Sequence, residues 1–156
     1  MEADPVTAEI IPWLAESWET TADARSWTFH LEQGVQFHHG YGELTAKDFE
    51  AMALAKGDES CASSTTSFWK EMDRAEIVDD HTIIFHMNNP SLPMLSVASN
   101  LPTGLELISF SKDQLDEVGY ENFDDVKPAS TSYYQFKERK LGESVCLLYT
   151  SPSPRD

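Results

Sequence analysis

Ser26-Trp27-Thr28-Phe29-His30-Leu31 alternates without a break, with Trp27, Phe29 and Leu31 on one side and Ser26, Thr28 and His30 on the other. A period of two marks a half-buried strand, because successive side chains leave opposite faces of the pleat. Glu32-Gln33-Gly34 turns the chain, Val35 and Phe37 resume the alternation, and His38-His39-Gly40-Tyr41-Gly42 reads as a loop. The clearest hairpin in the chain runs from Arg74 to Val78, through the turn Asp79-Asp80, to His81 to Met87 with Ile83, Phe85 and Met87 on one face.

The first helix is expected to start at Thr45, with Asp48 in the capping-box position and Leu44 and Phe49 at the staple positions. Phe49, Met52 and Ala53 form its apolar stripe and Lys56-Gly57 its stop. Residues 58 to 66 read as a polar loop before the apolar group Phe68, Trp69 and Met72. Asn88-Asn89-Pro90 ends the hairpin, and Ser91 with Pro93 predicts a short helix over Leu92 to Ser99. A strand is expected at Leu105 to Phe110. Ser111 with Gln114 forms a second capping box, and Phe110 with Leu115 a second staple, for a helix over Lys112 to Val118 that Gly119 closes. An acidic loop surrounds Asp124-Asp125, and Tyr134-Gln135-Phe136 reads as a returning strand.

Composition narrows the function classes. Four Trp, five Tyr and eight Phe in 156 residues argue for a packed core, because disordered chains are poor in such residues. Twenty-seven acidic against eleven basic residues give a formal charge of −16, which repels a phosphate backbone and excludes nucleic acid as a partner. Cys61 and Cys146 are too few for a disulfide scaffold and have no Cys-x-x-Cys spacing. No window approaches a membrane span, so stable membrane insertion is not expected, and Met1-Glu2-Ala3-Asp4 does not begin a signal peptide.

Nothing in the chain anchors catalysis. There is no Gly-x-Ser-x-Gly elbow, phosphate loop or His-Glu-x-x-His. Asp79-Asp80 and Asp124-Asp125 could be imagined as acid and base, but both fall in turns, where Asp bonds local backbone. His38-His39 invites a metal, yet neighbouring residues of a strand or turn point apart and no third ligand is spaced to join them. His30, His81 and His86 are expected on polar sides of strands. The expectation is therefore no catalytic residue, no metal and no cofactor.

The order of several motifs carries a resemblance. Ile11-Pro12-Trp13-Leu14-Ala15-Glu16-Ser17-Trp18-Glu19, then Ser26 to Leu31 and Gly34-Val35-Gln36-Phe37-His38, resemble the family 5 extracellular solute-binding proteins of peptide/nickel ABC transporters. So do Leu44 to Phe49, Ile77 to Phe85, Ile108 to Lys112 and Gly119 to Phe123, and together they span about residues 5 to 145. Two departures stand out. His39 occupies the Asp position of the family's His-Asp-Gly turn, and Pro128-Ala129-Ser130-Thr131-Ser132-Tyr133-Tyr134 replaces a Pro-x-Gly-Thr-Gly-Pro-Tyr loop, losing both glycines and a proline.

The resemblance implies a mixed α+β chain, residues 1 to 145 forming part of the N-terminal lobe of a periplasmic-binding-protein-like class II fold. It implies capture of a peptide or other small solute, delivery to an ABC permease, and a periplasmic or extracellular, membrane-associated place of work. Phe68 and Trp69 are the ligand-contact candidates, because the corresponding region approaches the cleft in this family and aromatics suit apolar or peptide side chains. Core packing is the competing role for both. A sensor or chaperone-type module on the same fold, or an enzyme with its site in missing sequence, are the alternatives. From Cys146 to Asp156 the chain leaves the family's pattern and resembles translated sequencing adapter, so residues 146 to 156 are expected to be a non-native or disordered tail.

Overall fold

The computed structural model describes residues 2–3, 7, 9–59, 65–98, 110–119, 122, 126–140 and 142–149. The chain divides into two compact units, one of residues 1–33 and 45–108 and the other of 34–44 and 109–156. The mixed α+β class expected from the sequence is what forms. In the first unit, β1 (Glu2–Ala3) pairs with β2 (Ile10–Ile11). A four-stranded antiparallel sheet carries β3 (Ala15–Thr20), β4 (Ser26–Leu31), β5 (Met72–Asp79) and β6 (Thr82–Met87) in the order β3-β4-β6-β5.

The central pair follows from the alternation. Trp27 lies opposite Phe85 and Phe29 opposite Ile83, so both apolar rows share one face. All four side chains are buried, as are Leu31 and Met87. Phe29 and Phe85 meet edge to face with centroids 5.9 Å apart. Ser26, Thr28, His30, Ile84 and His86 take the opposite, half-buried face. Strand β3 was not legible from periodicity: it is an edge strand with a register shift between Ala15 and Ser17, and Ala15 is its one fully buried side chain.

Helix α1 (Ala46–Gly57) begins where Thr45 predicts. Asp48 Oδ2 accepts from the Thr45 amide at 2.8 Å and from its hydroxyl at 3.1 Å, so the shorter carboxylate closes the box. Its stripe of Phe49, Met52 and Ala53 is buried. A single turn, α2 (Thr66–Trp69), follows, and α3 (Met94–Ala98) lies inside the expected Leu92 to Ser99. At the hairpin, Asp79 Oδ1 accepts from the His81 amide at 2.8 Å, and this bond holds the Asp79 carboxyl below its ordinary range. That is the turn chemistry expected of an Asp pair.

In the second unit, a short antiparallel bridge joins Gln36 to Glu43 around the 3₁₀ turn His38–Gly40. Helix α4 (Lys112–Val118) has its predicted bounds, and Ser111 Oγ caps the Gln114 amide at 3.4 Å. The other half of the expected capping box does not form. Gln114 instead donates to the Lys127 carbonyl and accepts from the Ala129 amide, both at 2.7 Å. It is 3% exposed and clamps the substituted 128–134 loop from inside. Gln114→Ala would leave the buried Ala129 amide and the part-buried Lys127 carbonyl without this partner, and a loss of about 1–3 kcal/mol is expected in urea unfolding.

Strand β7 (Tyr134–Lys140) runs further than the three residues expected and pairs with β8 (Ser144–Tyr149). β8 was not foreseen, because Val145-Cys146-Leu147-Leu148-Tyr149 is apolar throughout and has no period. The break expected after residue 145 falls inside this strand: Cys146 lies opposite Glu138 and Leu147 opposite Phe136. Residues 150–156, Asp124-Asp125 and, except for Phe110, the strand expected at Leu105 to Phe110 lie outside the described residues.

Candidate functional site

The two aromatic residues nominated for ligand contact are adjacent on α2 but differ in environment. Trp69 is 2% exposed, with its ring 5.4 Å from Phe85 and 5.2 Å from Phe68, both edge to face. It belongs to the core of the sheet unit. A Cβ placed on Gly57, the last residue of α1, would lie 3.4 Å from the Trp69 carbonyl oxygen, an ordinary contact distance, so the end of α1 lies directly beside α2. Phe68, on the same turn, is half-buried. Among the described residues, Trp69 Nε1 is a buried donor with no hydrogen-bond acceptor.

The sheet unit also holds an apolar hollow of about 30 Å³ lined by Leu14, Phe29, Leu31, Phe49 and Phe85. Solute pockets are typically about 300–1,000 Å³. The hollow is therefore a packing gap with room for little more than water.

The histidines are spread over both units. Among the described residues no group of three His, Cys, Asp or Glu side chains is placed to hold a metal. His30 and His86 stand on the polar face of the sheet, as the alternation implies, while His81 sits in the turn. His86 bridges two strands: Nδ1 lies 3.0 Å from Ser26 Oγ and Nε2 2.9 Å from Glu76 Oε2. No sequence motif announces that arrangement, since the three residues are brought together by strand register.

His38 and His39 join the two loops of the second unit. The His38 amide donates to the Ser130 carbonyl at 3.0 Å, and its Nδ1 lies 3.3 Å from Ser130 Oγ. His39 Nδ1 lies 3.4 Å from Gln135 Nε2. The substituted 128–134 loop is thus tied back to the histidine turn. His39 sits at φ +61°, a left-handed conformation that Asn tolerates better, so His39→Asn is expected to raise stability by about 0.5–1 kcal/mol.

Burial lowers the His38 pKa from its ordinary 6.5, and the neighbouring His39 pushes the same way against a backbone hydrogen bond at Ser132. The folded state therefore favours neutral His38. Its contribution is complete above the unfolded value of about 6.5 and is lost as pH falls below it, because the unfolded chain takes up the proton first. The melting temperature should fall between pH 7.5 and pH 5, and His38→Gln should make that fall shallower. An unchanged slope in the variant would contradict the assignment.

This sheet-and-helix arrangement matches solved bacterial periplasmic binding proteins. MoaA from A. tumefaciens R10, in complex with mannopinic acid, superposes with a TM-score of 0.79 at 28% identity, over 95% of this chain and 29% of that one. DppA from Helicobacter pylori, in complex with the peptide STSA, gives 0.76 at 29% identity, over 96% and 32%. Residues 9–148 match the family described as bacterial extracellular solute-binding proteins, family 5, middle region, and the chain belongs to that family. The dipeptide-binding protein of Escherichia coli K12 is 27% identical over 148 residues, covering 85% of this chain and 28% of its own length. The chain thus spans little more than a quarter of that relative. Among the described residues no helix is long and apolar enough to cross a membrane.

Proposed function

We propose that residues 1–145 are part of the N-terminal lobe of a solute receptor, and that the whole protein closes two lobes over a peptide or similar small solute and presents it to an ABC permease. The observation that carries this reading is the family match over residues 9–148, with the sheet core it requires in place. The receptor works in the periplasm or outside the cell, held at the membrane by its permease. Binding and release need no bond-making chemistry, so the residues of this chain act by shaping one wall of a cleft and by moving with a hinge. This reading leaves the solute class to be measured, since one relative of similar identity is in complex with mannopinic acid and another with the peptide STSA.

Within that wall, Phe68 is the proposed solute contact and Trp69 its support. Half-burial suits a side chain that meets a ligand, whereas Trp69 is committed to Phe85. Calorimetry of the full-length protein against dipeptides, tripeptides, mannopinic acid and nickel complexes tests the function, and micromolar or tighter binding to one class is expected. Absence of binding to every class would overturn it. Phe68→Ala in that protein should weaken the bound class about tenfold with little change in melting.

A further inference from the structure

The polar face of the sheet carries an arrangement that solute capture does not use. Ser26 is the first residue of β4, His86 lies directly opposite it on β6, and Glu76 stands on the neighbouring strand β5. Ser26 Oγ is 3.0 Å from His86 Nδ1, and His86 Nε2 is 2.9 Å from Glu76 Oε2. One neutral tautomer satisfies both contacts: Nδ1 accepts from the serine hydroxyl while Nε2–H donates to the carboxylate. The imidazole is about one-fifth exposed and the carboxylate about one-half, so a small molecule can reach the group while the ring stays fixed. Arg74, the cross-strand neighbour of His86, is drawn off by Asp73 at 2.9 Å and stands 4.0 Å from Glu76.

We propose that Ser26 is an activated nucleophile and the site of covalent acylation by activated esters, with His86 as its base and Glu76 as the group that orients the imidazole. The geometry is that of a hydroxyl polarised by a base which a third group holds in place. In the step, the Ser26 hydroxyl proton passes to His86 Nδ1, a bond forms between Oγ and the acyl carbon, and the ester C–O bond breaks. The leaving aryloxide carries away the electron pair, and the imidazolium, paired with Glu76, later returns its proton to water. The nearby amides are committed elsewhere: the Ser26 amide donates to Thr21 Oγ1 at 3.1 Å and the Met87 amide to the Arg25 carbonyl at 2.7 Å. Without free donors for an oxyanion, amides are out of reach and the acyl-serine persists, so the expected chemistry is one acylation per chain and not turnover.

The test is incubation of the 156-residue chain with p-nitrophenyl acetate, reading released p-nitrophenolate and the acetylated peptides by mass spectrometry. Ser26 is expected to acetylate at least about 100-fold faster than the exposed Ser67, whose hydroxyl makes no hydrogen bond to a base among the described residues, since a positioned general base gives about 10²–10⁴. His86→Gln should remove that advantage and Glu76→Gln should reduce it, with circular dichroism confirming that both variants keep the sheet. Equal labelling of Ser26 and Ser67, or a Ser26 rate unchanged in a folded His86→Gln variant, would show the three residues to be ordinary cross-strand pairing and would overturn the proposal.

Discussion

Phe85→Ala is expected to cost about 3–5 kcal/mol, the largest loss from any single substitution in the sheet unit. Phe85 is 1% exposed, lies opposite Trp27 on β4 and Ala75 on β5, and touches the rings of Phe29 and Trp69. Its removal opens a cavity where strand and helix aromatics converge, next to the existing hollow, which shares Phe85 as a wall. Native domains hold only about 5–15 kcal/mol in all, so the variant should be largely unfolded in mild urea. Ile77→Ala, on the edge strand and 38% exposed, is the control and should change stability by about 0.5 kcal/mol or less. A Phe85→Ala loss below about 1 kcal/mol would mean that the two apolar rows do not form the core.

The second large effect concerns binding. The 156-residue chain is expected to bind solute at least about 100-fold more weakly than the full-length protein. A cleft between two lobes buries most of a ligand's surface, whereas one wall leaves it half solvated and unable to offset its lost freedom. The hollow among the described residues of the sheet unit, at about 30 Å³, is too small to compensate. Titration of both proteins with the same solute measures the ratio. Equal affinities would place the whole site on this chain and contradict the two-wall arrangement.

How far the sequence could be read depended on whether the signal was local. The β4 alternation, the hairpin and the caps at Thr45 and Ser111 are each set by neighbours in the chain, and β4, β6, α1 and α4 formed where these cues placed them. β3 and β8 were missed because one is an irregular edge strand and the other an unbroken apolar run, neither having a period to detect. Gln114 shows a local rule overridden by tertiary contact: the capping partner turns away to bond Lys127 and Ala129, more than ten residues on. Phe68 and Trp69 were legible as an aromatic pair, yet which of them is core depends on Phe85, and no spacing in the chain connects those positions. The Ser26, His86 and Glu76 contacts are a product of register alone and had no sequence signature.

The most direct measurement is small-angle scattering of the full-length protein with and without the solute that calorimetry identifies. If this chain forms one wall of a closing receptor, the radius of gyration contracts on binding and returns when the solute is dialysed away, with the solute recovered chemically unchanged. A saturated protein whose scattering matches that of the free form, or a solute recovered as a reaction product, would contradict the account.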